Sequence, residues 1–508
     1  MRPILTPSEA AALDHGSQAY GISVESLMER AGREVARAAA ALTGGSYGRR
    51  AVVVCGKGNN AGDGLVAARV LSVWGMRVAA VMLGRGEDLR EPAAGNLARL
   101  HGSDVRVRPF SPPALERELA RADVVVDAIV GTGFHGMPEE AFADAIALVN
   151  QRDAPVVAVD IPSGVNGETG RVDGIAVRAS VTVTFGAAKP GVVFFPGAEH
   201  AGLVQVVDIG FPLDLVRSRL ALLEASDVAA ALPRRGPDTH KRAAGVVTVV
   251  GGSRRMTGAV ALAAEAAYRA GAGLVCVASP SSVLPVVQSI LREPTFVPLA
   301  ETDGGAIASG DEVLDRIVAD ADAVALGPGM TTDDSTAAFV RSFVRTSPAP
   351  VILDADGLNA FVGHVADLGD RTSPLVMTPH AGEFARLAGT TASEVAADRV
   401  GHARRLAAEV DATVLLKGSR TVIASPDGSA VVTPTGGPYL ATGGTGDVLT
   451  GMIAGFVARG APPAEAASAG AFVHGVAGRL AGRELADGTT AGDVLAKLPA
   501  AMREVGAA

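Results

Sequence analysis

Short apolar, β-branched runs alternate along the chain with alanine-rich, helix-patterned stretches. In the first half the runs fall at residues 51–55, 77–83, 123–129, 155–161, 180–185 and 203–208. They are apolar throughout instead of alternating, which predicts parallel strands covered on both faces. Helices fit between them, for example at 64–74 and 139–150. This rhythm predicts a doubly wound α/β layer structure.

The same grammar restarts later, with strands expected at 245–250, 274–278, 323–326, 351–354, 375–378, 413–417 and 430–433. Between the two series lies 211–242, poor in strand signals and carrying a polar stretch at 233–240. The boundary is expected near residue 222, giving domains 1–222 and 223–508. The halves share a βα rhythm but no motif repeats, so two different domains are expected, not a duplication.

Composition narrows the classes. The chain has 508 residues, and 45 basic against 54 acidic side chains give 45 − 54 = −9. That balance argues against a nucleic-acid partner, which needs a basic face. At 48% hydrophobic and 19% charged, the chain can bury large cores. Two cysteines, Cys55 and Cys276, exclude a disulfide scaffold and fit a reducing cytoplasm. No apolar run reaches membrane-spanning length, and the first seven residues lack the apolar stretch of a signal peptide. A cytoplasmic protein with no membrane partner is expected.

Chemistry concentrates at strand ends. The run at 51–55 enters Gly56-Lys57-Gly58-Asn59-Asn60-Ala61-Gly62-Asp63-Gly64. Such a turn lets backbone amides approach an anion at a helix N-terminus. Three further strand ends carry Asp127, Asp160 followed by Pro162-Ser163-Gly164, and Lys189. Ligands of open α/β sheets bind at this edge. One aspartate there is commonly a helix cap, but four converging strand ends argue for a site. Amide, carboxylate and hydroxyl oxygens are hard donors suited to an alkali or alkaline-earth ion.

Residues 1 to about 215 resemble the NAD(P)H-hydrate epimerase domain in this loop, in Asp127 with Gly131-Thr132-Gly133, in Asp160-Ile161-Pro162-Ser163-Gly164 and in Phe185-Gly186-Ala187-Ala188-Lys189-Pro190-Gly191. The resemblance implies substrate contacts at Asn59, Asn60, Ala61, Gly62 and Asp63, at Gly131, Thr132, Gly133, Phe134, His135, Gly136 and Met137, and at Asp160. It implies potassium ligands at Asn60, Asp127 and Ser163. Asp160 is the expected acid/base residue, supported by Lys189. Ala61 stands where the family usually has glycine, a change that negative φ accommodates.

The second half carries Thr442-Gly443-Gly444-Thr445-Gly446-Asp447, with a helix expected from Val448. Glycine amides at a helix start can neutralise a transferring phosphate, and an aspartate beside them can act as base on a hydroxyl. Other strand ends carry Lys417-Gly418-Ser419-Arg420-Thr421, Thr378-Pro379-His380, Asp354-Ala355-Asp356 and Gly327-Pro328-Gly329. With Gly251-Gly252-Ser253 and Gly258-Ala259, these resemble the ADP/ATP-dependent NAD(P)H-hydrate dehydratase family, which has a ribokinase-like fold. The resemblance implies hydrate contacts at Ala259, Gly329, His380 and Asp447, and nucleotide contacts at Lys417, Gly418, Ser419, Arg420, Thr421 and Gly446. It implies Mg²⁺ with ADP or ATP, and Asp447 as the base. After Gly329 the chain reads Met330-Thr331-Thr332, where a further glycine is common.

The two resemblances together imply a Rossmann-like three-layer domain followed by a ribokinase-like one. The expected activity is epimerisation of hydrated NADH or NADPH and nucleotide-driven dehydration of the S form, by a homo-oligomer. A small-molecule kinase fused to a binding domain, or a non-catalytic scaffold, is the alternative.

Overall fold

The computed structural model describes residues 1–308 and 317–506. Two compact units form, residues 3–218 and residues 219–508 together with Met1 and Arg2.

In the first unit seven parallel strands follow the order Arg106–Pro109, Arg77–Met82, Arg50–Cys55, Val124–Ala128, Val156–Val159, Val181–Phe185, Leu203–Val207. Side chains alternate between sheet faces. Val53 and Cys55 pack with Val35 and Leu65 on one face, while Val52 and Val54 pack with Phe142 and Ile146 on the other. All are buried, which is why these runs read as continuously apolar. The expectation of two-sided burial fails at the edges. Leu203 is 63% exposed, and Arg106–Pro109 is exposed throughout. The latter strand has no apolar run to reveal it, and its proline is tolerated because it sits on an edge.

The second unit contains an eleven-stranded sheet. Its middle runs Thr413–Leu416, Leu375–Met377, Val351–Leu353, Ala323–Leu326, Val246–Val250, Leu274–Pro280, all parallel. Val422–Ala424 is antiparallel to both its neighbours, Thr413–Leu416 and Ala430–Val432. The short strands Val422–Ala424 and Leu220–Leu222, and the proline-containing Thr295–Leu299, are additions to the sequence expectation. Leu220–Leu222 pairs with Ala430–Val432 and so belongs to this sheet.

Two helices begin earlier than their composition suggests. Asn59–Val73 starts five residues before the expected 64, and Thr445–Ala458 starts three before 448. Asn, Gly and Asp are weak helix formers. In a first turn they leave backbone N–H groups without an internal partner, which is useful beside a ligand. Each helix has a glycine N-cap without a side-chain cap: Gly58, and Gly444 at φ 92°. The Thr445–Ala458 helix lies against Thr257–Arg269 so closely that a Cβ on Gly451 would fall 1.9 Å from the Ala263 carbonyl.

Candidate active sites

In the first sheet, successive strands diverge from Arg50–Cys55 and Val124–Ala128, and a cavity of about 750 Å³ opens at their carboxyl ends. Asn59, Asn60, Asp63, Gly131, Thr132, Gly133, Phe134, His135, Met137, Asp160 and Lys189 line it. Ala61 and Gly62 do not. The Ala61 methyl is buried in the core, so its replacement of glycine leaves the cavity untouched. A Cβ on Gly62 would meet Met28 Sδ at 2.5 Å. Gly136 forms a left-handed turn at φ 76° outside the lining.

Asp160 ends the Val156–Val159 strand at φ 64°. Aspartate tolerates this left-handed conformation better than most residues. The turn aims Oδ1 at three donors: Lys189 Nζ at 2.6 Å, Thr184 Oγ1 at 2.8 Å and the Phe185 N–H at 3.3 Å. Lys189 is 2% exposed and also donates to the Phe185 carbonyl at 2.8 Å and to Thr184 Oγ1 at 3.1 Å. The ammonium is therefore fully engaged and fixes Asp160 in place.

Asp127 is buried without a cationic partner. It accepts from the Ser163 hydroxyl at 2.5 Å and the Ser163 N–H at 2.8 Å. Burial pushes its carboxyl up to about 6, against those Ser163 bonds. Asn60 Nδ2 donates to the Val130 carbonyl at 3.1 Å, and Ser163 Oγ lies at the same distance from that oxygen. Three elements thus bring Asn60, Asp127 and Ser163 to one point. The Asp127 carboxyl, the Ser163 hydroxyl and the Val130 carbonyl gathered there are hard oxygen donors of the kind a monovalent cation takes.

Two further acids face the cavity. Burial, then Asp160 and Asp14, holds the Asp63 carboxyl well above the usual carboxylate range. Asp14, on the Pro7–Gln18 helix, is raised to about 6 by the surrounding protein and by Asp160. Its side chain remains open to solvent at the cavity mouth. Sequence reasoning missed Asp14 because it belongs to no motif.

In the second sheet the divergence falls between Val246–Val250 and Ala323–Leu326. There Gly252 N–H donates to the Pro328 carbonyl at 2.8 Å. A Cβ on Gly329 would lie 2.9 Å from the Ala259 Cβ, so these two expected hydrate contacts adjoin. Thr331 adopts φ 123°, with its N–H on Asp356 Oδ2 at 3.1 Å and its buried hydroxyl without a partner among the described residues. A side chain therefore occupies the conformation that glycine prefers.

Asp447 lies in the first turn of Thr445–Ala458. Its carboxyl is pushed up to about 7 by burial, then by Asp354, with Lys417 opposing. Lys417 is held by Asp354 Oδ1 at 2.7 Å, with Glu383 Oε2 at 3.7 Å. Asp354 Oδ2 accepts from Thr450 Oγ1 at 2.7 Å. Thr450 belongs to no motif of the sequence. Gly446 adjoins this group, since a Cβ there would fall 3.4 Å from Lys417 Nζ.

Gly418 and Ser419 are exposed just beyond the Thr413–Leu416 strand. Arg420 donates to the Pro434 carbonyl at 2.8 Å, and Thr421 Oγ1 to the Gly418 carbonyl at 3.0 Å. His380 Nδ1 caps its own helix, accepting from Gly382 and Glu383 N–H groups at 3.0 and 3.3 Å, with the ring otherwise exposed. His474, buried on the Pro463–Leu485 helix, was also unmarked. Burial lowers it to about 4, against a hydrogen bond with the Thr445 backbone.

Residues 24–191 match the family described as YjeF-related protein N-terminus, and 247–500 match NAD(P)H-hydrate dehydratase. The bifunctional NAD(P)H-hydrate repair enzyme of Moorella thermoacetica is 42% identical over 99% of this chain and 97% of its own length. That of Mycobacterium tuberculosis is 39% identical over 87% and 86%. The ADP/ATP-dependent NAD(P)H-hydrate dehydratase of Bacillus subtilis, co-crystallised with ATP/Mg²⁺, superposes with a TM-score of 0.50 at 33% identity, over 56% of this chain and 98% of that one. With an epimerase-type first unit and a ribokinase-like dehydratase second unit, the chain belongs to the bifunctional NAD(P)H-hydrate repair enzymes.

Proposed function

We propose that the first unit interconverts the R and S forms of hydrated NADH and NADPH, and that the second unit dehydrates the S form at the expense of ADP or ATP. The observation that carries the first half is the Lys189–Asp160 pair, held at 2.6 Å on the wall of the large cavity. Loss of hydroxide from the C6 carbon, assisted by the ring nitrogen, gives a planar centre open from either face. Asp160 handles the proton there, and Lys189 keeps it aimed. Potassium at Asn60, Asp127 and Ser163 supplies positioning charge, not strong Lewis acidity. Asn59 and the 131–137 loop hold the dinucleotide.

In the second half, Asp447 accepts the C6 hydroxyl proton as that oxygen attacks the terminal phosphoryl group of the nucleotide. The Gly444–Gly446 amides face the phosphoryl oxygens, with the hydrate against Ala259, Gly329 and His380. The segment from Gly418 to Thr421 receives the nucleotide, and Lys417 lies between its carboxylates and Gly446. Mg²⁺ accompanying the nucleotide supplies neutralising charge. The phosphate ester is a far better leaving group than hydroxide, so its departure from C6, with loss of a proton from C5, restores the ring double bond. We place the protein in the cytoplasm as a homo-oligomer.

Incubation with mixed hydrate epimers and ADP or ATP tests this reading. Both epimers are converted, with return of the near-ultraviolet absorbance of the reduced nicotinamide. A stable phosphorylated product without that return would favour the kinase alternative.

A further inference from the structure

We propose that Asp63 is a second catalytic acid/base of the epimerase cavity, serving the face of the nicotinamide ring opposite to Asp160. This deepens the epimerase reading above and rests on it. Asp63 lies in the helix turn that follows the Arg50–Cys55 strand, and Asp160 lies at the end of Val156–Val159. One strand, Val124–Ala128, separates them, so their elements stand two inter-strand steps apart, roughly 9–10 Å. Both line the same cavity. The two residues thus border the cavity from separate elements, one on each side of the central Val124–Ala128 strand.

Their surroundings divide the labour. Asp160 receives three donors, one of them an ammonium, and is placed to take up a proton without moving. No hydrogen bond from a described residue reaches Asp63, and burial with the Asp160 and Asp14 charges favours its protonated form. Lys189, the cation of the group, is spent on Asp160. Lys57, Glu139 and His135 also line the cavity, and Lys57 is paired with Glu139 at 3.3 Å. Acid and base with separated environments are what two-step proton transfer needs.

The step balances as follows. The C6–O bond breaks, its oxygen takes the Asp63 proton and leaves as water, and the nitrogen lone pair forms the N1=C6 bond. Water then attacks C6 from the other face and gives a proton to Asp160, while the π pair returns to nitrogen. In the reverse direction the two residues exchange roles.

The test uses the full chain, separated hydrate epimers and water labelled with heavy oxygen. The wild-type protein inverts each epimer and labels both. Asp63→Asn is expected to lower inversion at least about 100-fold. One epimer, whose hydroxyl faces Asp160, should still exchange its oxygen with retention. Asp160→Asn should leave the same exchange in the opposite epimer only. Inversion at the wild-type rate in Asp63→Asn would overturn the proposal. So would equal loss of exchange from both epimers, the result of a merely structural role. Absence of enzyme-dependent inversion in the wild-type protein would instead overturn the epimerase reading itself.

Discussion

Both catalytic regions hold a well-buried lysine among acidic side chains, and the acids mean opposite things in the two. In the first unit Asp14, Asp63 and Asp160 face Lys189; in the second Asp354, Glu383 and Asp447 surround Lys417. On the proposed mechanism the first reaction places positive charge on a ring as water departs, and the acids lining the cavity face that charge directly. The second brings an anionic phosphoryl group towards carboxylates, and it needs a cation carried in with the nucleotide to be tolerable. The lysines differ accordingly. Lys189 is buried and fixes one acid, whereas Lys417 bridges two acids beside the glycine loop. The sign of the charge developing in the reaction, not the inventory of acids, sets what each cluster does.

The largest test of this contrast removes a single base. Asp447→Asn keeps size and hydrogen bonding but accepts no proton. Dehydration should fall about 10²–10⁴-fold, as for loss of general-base catalysis, while epimer exchange is unchanged. Equal loss of both activities would mean that the two clusters are not independent.

Lys189→Met probes the buried pair next. Stripping one partner from a buried ion pair costs about 3–5 kcal/mol. Trp74, the chain's single tryptophan, lies in the first unit and reports its unfolding alone. Its fluorescence transition should move to lower denaturant. A transition at the wild-type midpoint would show that Asp160 does not depend on Lys189.

The second cluster should also show in pH dependence. Because Asp447 is raised to about 7, the base form grows as pH rises through about 7, and dehydration should climb there and level off above. Stability runs the other way. Between the ordinary aspartate value of 3.8 and about 7 the folded chain holds a proton that the unfolded chain has released, so stability falls as pH rises across that window. Asp447→Asn should flatten both profiles. A dehydration rate independent of pH from 5 to 8 (roughly the range in which such a shifted base titrates) would remove Asp447 as the base.

How much of this was legible in the sequence follows from where each signal lies. Central parallel strands such as Val246–Val250 announce themselves because both faces are buried. Arg106–Pro109 and Val422–Ala424 do not, since one is exposed and the other is three residues long. Asp160, Lys189 and Asp447 were readable because they close strands or open helices beside glycines. Asp14, Thr450 and His474 were not, because they reach the sites from the middle of helices and only tertiary packing brings them there. The same limit hid the direction of Ala61, whose methyl points into the core, and the pairing of Lys417 with Asp354.

The smallest effect concerns the backbone beneath the second cluster. Thr331 holds φ 123° while its N–H reaches Asp356 and its buried hydroxyl has no partner among the described residues. A β-branched residue in such a conformation carries about 1–3 kcal/mol of strain. Glycine relieves the strain and removes the orphaned hydroxyl, at an entropic cost of about 0.5–1 kcal/mol. Thr331→Gly should therefore stabilise the second unit by roughly 1 kcal/mol, read as a shift of its circular-dichroism unfolding transition, with the Trp74 transition unmoved. The Thr331 N–H bond to Asp356 survives the change, so the charge around Asp447 and the pH inflection of dehydration should stay in place. A destabilised variant would mean that the threonine methyl packs well enough to outweigh the strain. A displaced inflection would mean that this loop, and not only the carboxylates, tunes Asp447.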